Sequence, residues 1–349
     1  MSALTMPARP REDPTARPVP WRRMAWVTWR QHRIALTGVT VFLGGWALYL
    51  WLTGLQVHHA YAAATACHPA ASLACGEMAS NFNDAYGARA EAIAALLQVV
   101  PALIGAFVGA PVLARELETG TFRYVWTLAF GRIRWTLAKL VPLAIAVSAA
   151  VGAFSLLLSW YYGPFVADGN QTALAPTVFD LRGVTFAAWT LATFAIGALA
   201  GMFIRRVVPA IAATLTAYAG LAAAAGLYLR QHYLAALVTS RLNPPATAWI
   251  MSVWWTKGGR FAFAGLPPGS LLMRICPPSG MGSGPSRFKP APGTITQCVI
   301  RHGYTQWTSY QPASRFWPFQ WIEGGWLLAL SVLLVAATIW LVRRRPTAA

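Results

Sequence analysis

The chain has 349 residues, 56% of them hydrophobic and only 11% charged, and its 28 Lys and Arg against 10 Asp and Glu leave a formal net charge of +18. Soluble domains carry roughly a quarter charged residues, so this composition excludes a soluble enzyme and is too apolar for intrinsic disorder. It fits a multi-pass membrane protein whose basic residues meet one face of a bilayer and not nucleic acid.

Residues 1–33 form an Arg- and Pro-rich tail. Within it, residues 21–33 read as a short interfacial elbow helix. At about 100° per residue, Arg22, Arg23, Arg30 and Arg33 share one arc, Trp21 and Met24 lie opposite, and Trp29 sits at the boundary. Such a helix lies among lipid headgroups with its basic face toward anionic lipid. A membrane crossing needs about 20 apolar residues. Six stretches meet that need: 34–57, 92–114, 140–160, 184–204, 207–229 and 325–342. The expected fold is therefore all-α, with six transmembrane helices, and residues 34–229 hold five of them. The first stretch is longer than the 7–15 residues of a signal-peptide core and is expected to be retained.

Short basic flanks set the orientation. Arg22, Arg23, Arg30 and Arg33, then Arg115, Arg123, Arg132, Arg134 and Lys139, then Arg205 and Arg206, and finally Arg343, Arg344 and Arg345 fall on one side. The short loops opposite hold only Arg89 and Arg182. Both termini are expected in the cytoplasm, with residues 230–324 as a long extracytoplasmic loop. The preference for Arg over Lys in an Ala-rich chain suggests a high-GC bacterium, and so its plasma membrane.

All four cysteines then face the oxidising side. Four cysteines allow three pairings, and two per outer loop favours Cys67 with Cys75 and Cys276 with Cys298. A metal site from Cys67, His68 and Cys75 is the disfavoured alternative, since no regular ligand pair is present, and no metal is expected. Gly105 with Gly109, and Gly197 with Gly201, are small-residue pairs that let helices approach closely. They serve packing within one chain or dimerisation. Pro101 interrupts the second span, and its freed backbone groups either line a path or are satisfied by neighbouring helices.

No stretch contains an ionisable residue, which argues against an ion-coupled carrier. There is also no P-loop, so the chain is expected to bind no ATP and no cofactor of its own. The segment after the second span carries the chemistry that remains. Glu116 and Glu118 lead to Gly120, which can end one helix, and to Thr121, which can cap another. Phe122, Val125 and Trp126 then recur at helical spacing, making an apolar stripe on a short helix over about residues 116–130.

The run Ala114-Arg-Glu-Leu-Glu-Thr-Gly-Thr-Phe-Arg-Tyr-Val-Trp-Thr127, followed by Arg132-Ile-Arg-Trp135 and Lys139, resembles the loop after the second span in actinobacterial permease subunits of type-2 ATP-binding-cassette (ABC) exporters. Thr28-Trp-Arg-Gln-His-Arg33 and Tyr310-Gln-Pro-Ala-Ser-Arg-Phe-Trp-Pro-Phe-Gln-Trp-Ile-Glu323 are similar to family segments before the first and last spans. The resemblance implies a permease that forms a homodimer or pairs with another permease. It further implies two copies of a cytosolic ABC ATPase, which carry the ATP and Mg²⁺, with residues 116–130 as the coupling helix on that ATPase. No catalytic residue is expected in this chain. The reading from a different class is a membrane-anchored enzyme or sensor whose function sits in the extracytoplasmic loops.

Overall fold

The computed structural model describes residues 21–68, 73–120, 132–169, 171–241, 245–276 and 294–344. Six helical runs among them are long and apolar enough to cross a bilayer: Trp26–Thr65, Ala74–Thr119, Arg132–Tyr161, Thr185–Ile204, Val207–His232 and Ala313–Arg344. Five of the six expected stretches fall inside these runs, and the fourth, 184–204, starts one residue before its run, at the N-cap Val184. Their ends differ, and the differences matter for the site.

Helix α1 (Trp21–Thr65) has 45 residues, about 68 Å at 1.5 Å per residue, more than twice a hydrocarbon core. Residues 21–33, read above as a separate short helix, continue into the first span. No proline or glycine interrupts the chain between Trp21 and Gly38, so nothing there ends the helix. One stripe of α1 is buried. Leu36, Leu43, Leu50 and Val57, seven residues apart, pack toward Leu140, Leu143, Val147, Val151 and Leu158 of α5 (Arg132–Tyr161), a coiled-coil-like spacing. Ile34, Val41 and Leu48 stay exposed on the other side.

The second span is assembled from pieces: α2 (Leu73–Leu97), α3 (Val100–Ile104), a π-helical turn (Gly105–Gly109) and α4 (Pro111–Thr119). Pro101 and Pro111 each lack an N–H, and irregular backbone at membrane depth needs partners. Neighbouring helices supply them. The Thr193 hydroxyl donates to the Pro101 carbonyl at 2.7 Å and the Tyr218 hydroxyl to the Gln98 carbonyl at 2.5 Å.

After α5 come the short α6 (Gly163–Ala167) and α7 (Pro176–Phe179), then α8 (Thr185–Ile204) and α9 (Val207–Ala224). Helix α8 is apolar on all sides and is the buried centre of the bundle, with Phe186, Trp189, Ala192, Phe194, Ala198 and Met202 shielded. Helix α9 buries only Ala210 and Thr214. It continues through a π turn (Ala225–Leu229) and a 3₁₀ turn (Arg230–His232). The last helix, α12 (Phe316–Arg344), begins nine residues before the expected start of the sixth span at 325. Gln320 and Glu323 break the hydropathy pattern there, but both are buried and hydrogen-bonded inside the bundle, so the helix tolerates them.

Between α9 and α12 lies a unit that the all-α expectation did not include. Strands β1 (Leu237–Thr239), β2 (Trp249–Lys257), β3 (Arg260–Ala264) and β4 (Tyr304–Gln311) form an antiparallel sheet in the order β1-β4-β2-β3. Helices α10 (Gly269–Ile275) and α11 (Thr294–Arg301) accompany it. The β2–β3 hairpin turns on Gly258 and Gly259, with φ of 56° and 76°, the pair of positive φ values that a two-residue hairpin demands. Trp254 stands opposite Trp307 in the register, and the Trp255 indole donates to the Gly265 carbonyl.

Both expected disulfides are present. Cys67–Cys75 joins the far end of α1 to α2, with Cα atoms 5.6 Å apart, and Cys276–Cys298 joins α10 to α11 at 6.1 Å. His302 approaches Cys298, but both sulfurs beside it are tied in the disulfide, and the same holds for the alternative set around Cys67 and Cys75.

Candidate functional site

At the basic end of the bundle, α4 stops at Thr119 and Gly120 closes it in the left-handed conformation, φ 72°, where glycine carries no Cβ penalty. The two carboxylates that precede it reach different spans. Glu116 pairs with Lys139 of α5, whose ammonium also lies 4.2 Å from the centre of the Trp135 ring. Lys139 is only 2% exposed. Glu118 Oε2 accepts the Val207 N–H at 3.0 Å, supplying the first turn of α9 with an acceptor that Arg206, its N-cap residue, does not provide. Thr121, Phe122, Val125 and Trp126, with the rest of the expected coupling helix to residue 130, lie outside the described residues.

Nearby, α1 is held to α5 by the Thr28 hydroxyl, which donates to the Ala138 carbonyl at 3.1 Å. Trp29, Arg30 and Arg33 of the expected elbow are exposed. Trp21, Arg22 and Arg23 open the helix, and their side chains lie outside the described residues.

The four glycines meet in one seam inside the chain. A Cβ on Gly105 would sit 2.6 Å from the Thr193 carbonyl oxygen, and one on Gly109 2.6 Å from that of Phe194. In return, a Cβ on Gly197 would strike the Gly105 carbonyl and one on Gly201 the Ala110 carbonyl. The π turn of the second span and helix α8 therefore touch backbone to backbone.

The opposite end of the bundle holds a buried ionic cluster. Arg230 Nη2 and Nε donate to Glu323 at 2.9 and 3.1 Å, and Nη2 donates to Asp180 at 2.5 Å. The Trp189 indole and the Tyr233 hydroxyl also donate to Glu323, at 3.0 and 3.1 Å. Arg230 and Glu323 are wholly buried, and the Asp180 side chain is 17% exposed. Below the guanidinium, 4.4 Å away, lies the Phe179 ring, which meets Phe316 edge-on, and Arg182 stands over Phe316. Burial lifts the Asp180 carboxyl to about 7, with Glu323 adding to the rise and Arg230 opposing it. Burial lowers Arg182 from the usual guanidinium range.

A family model described as ABC-2 membrane transporter related matches residues 37–230, more than half of the chain. The chain belongs to that family. It is thus an ABC transporter permease, a multi-pass transmembrane component that is not itself catalytic. No curated protein and no solved structure matches it.

In this permease the matched region takes in five of the six spans, the glycine seam and the acidic stretch from Glu116 to Gly120. The ionic cluster sits at its margin. Hydropathy alone sets Arg230 and Glu323 in the 230–324 loop and leaves the spans free of charge. Instead both residues belong to the helical runs Val207–His232 and Ala313–Arg344. A signal was available: Glu323 is the one acidic residue of the chain after Asp180, and a lone carboxylate beside an apolar run needs a cation close by. Two of the spans therefore carry charge, and family membership, not uncharged spans, separates this chain from an ion-coupled carrier. Arg230 Nη1 is buried without a hydrogen-bond partner among the described residues, while the other contacts of the cluster fasten the end of α9, the α7–α8 connection and the start of α12 together.

Proposed function

We propose that the permease is the membrane subunit of an exporter in the bacterial plasma membrane, with both termini and the basic end in the cytoplasm. Two copies of a separate ABC ATPase bind the ATP and Mg²⁺, and the permease works as a homodimer or beside a second permease. Residues 116–130 seat on the ATPase, and the elbow residues Trp21, Arg22, Arg23, Trp29, Arg30 and Arg33 lie at the membrane surface.

The observation that carries this reading is the family match, joined to the attachment of the acidic turn. Glu116 is tied to α5 through Lys139 and Glu118 to α9 through Val207, so displacement of this turn is passed to two spans at once. Gly120 ends α4 directly after this turn in the left-handed conformation.

The test is to purify the tagged chain in mild detergent and identify stoichiometric partners by mass spectrometry. A P-loop protein is expected, with its ATPase activity stimulated by the permease. Trp126→Ala is expected to abolish that stimulation while the spans stay folded. A partner-free chain, or full stimulation by the variant, refutes the reading.

A further inference from the structure

At the basic end, α8, α9 and α12 enclose an open apolar groove of about 490 Å³. Small residues make its hollow: Ala200 on α8, Ala213 and Ala217 one turn apart on α9, and Ala337 on α12. Large ones make its rims, with Phe203 73% and Trp340 49% exposed. Methyl-sized side chains facing one another between bulky edges leave a trough with the shape of a hydrocarbon chain. Its volume lies within the ordinary range of ligand sites.

The end of the trough is cationic. Arg205 directly follows Ile204, a lining residue, and its left-handed backbone, φ 63°, ends α8 there, with Arg206 next. Arg343 and Arg344 follow the lining residues Trp340 and Leu341, and the Arg344 guanidinium lies 4.2 Å from the centre of the Trp340 ring. All four arginines are exposed. The acidic group at this turn is Glu118, already committed to the Val207 N–H. An apolar trough leading to four guanidiniums matches a ligand with a long acyl chain and an anionic phosphate head.

We propose that this groove is a binding site for one anionic phospholipid, with an acyl chain lying over Ala213, Ala217 and Ala337 and the phosphate held by Arg205 and Arg344. A second copy of the chain is the poorer occupant. A two-fold contact through this face sets the same four arginines of each copy against one another. The site stands on membrane insertion alone and does not depend on the ATPase reading.

The test uses the full chain, delipidated and returned to vesicles of phosphatidylglycerol or of phosphatidylcholine with the same acyl chains, followed by native mass spectrometry. Wild type is expected to retain one phosphatidylglycerol with at least a fivefold preference over phosphatidylcholine. Ala213→Trp, which fills the trough, is expected to lose it, and Arg205→Gln with Arg344→Gln to lose the preference while keeping the acyl contact. A second measurement covers a filled variant that fails to fold: brominated-chain phosphatidylglycerol is expected to quench a fluorescence component that Trp340→Phe lacks. Equal retention by wild type and a folded Ala213→Trp variant, no difference in quenching, or cross-linking of a cysteine at position 213 to a second copy would each overturn the proposal.

Discussion

Arg230 and Glu323 are 93 residues apart in sequence and meet in a two-pronged ion pair with neither side chain open to solvent. Between them the chain leaves the bundle, builds the whole sheet unit and returns. A guanidinium facing a carboxylate through two N–H groups is the strongest of the common ion pairs. In a dry interior its value is conditional, because either partner alone is an uncompensated charge.

Removing Arg230 is therefore expected to be far worse than removing the pair. Arg230→Met leaves Glu323 beside Asp180 in a buried setting and is expected to cost about 3–5 kcal/mol. Arg230→Met with Glu323→Leu is expected to recover much of that loss. Thermal unfolding in detergent, read as a double-mutant cycle, checks this, and additive losses would contradict it.

Asp180 gives the same cluster a pH dependence. Its carboxyl titrates near 7 in the fold against 3.8 in the free side chain, so the folded state holds its proton more tightly than the unfolded chain does. The stabilisation is complete at low pH and is lost as pH rises through about 7. The midpoint of unfolding is expected to fall between about pH 5 and about pH 8, and Asp180→Asn to flatten that slope. An unchanged slope in the variant would dissociate the effect from this residue.

The glycine seam predicts a contrast between positions that look alike in sequence. Gly109→Ala puts a methyl 2.6 Å from the Phe194 carbonyl oxygen and 3.0 Å from its Cα, backbone atoms that cannot swing aside. Overpacking of this kind is expected to cost about 1–3 kcal/mol or more. Gly152→Ala in α5 meets nothing within 4 Å and is expected to be neutral or to stabilise by up to ~1 kcal/mol. Yields of folded protein and unfolding midpoints for the two variants distinguish them.

At the basic end, Glu116→Ala strands the Lys139 ammonium. Because the Glu116 side chain is 17% exposed, the cost is expected at the lower end of the ~3–5 kcal/mol for a broken buried pair. Lys139→Met in the same chain is expected to restore part of it. Unfolding midpoints of the single and double variants decide this, and no recovery in the double variant would show that the pair is not the source of the loss.

The spans were legible because hydropathy over about 20 residues is a direct image of a bilayer. The cysteine pairings were legible because two cysteines fell in each loop. Gly120 was legible too, since ending a helix is a local backbone property. The cluster was not, because Glu323 interrupts the hydropathy on which span boundaries are drawn, and its partner comes from another helix. The sheet was missed although Gly258-Gly259 lies between Trp249–Lys257 and Arg260–Ala264, a hairpin signal. Its strands run through aromatic residues on both faces, so no clean alternation marked them.

The two ends of the sheet unit are held in one place by the Arg230–Glu323 pair. Entrance and exit of the insertion lie side by side, and a second tie, the Thr172 hydroxyl donating to the Thr247 carbonyl at 2.8 Å, holds the segment before β2 to the α6–α7 connection. A short connector that preserves Arg230, Tyr233 and the helix from Phe316 onward closes the same gap. A chain shortened in this way is therefore expected to keep its six spans folded, losing only the contacts that the module makes with the α6–α7 connection.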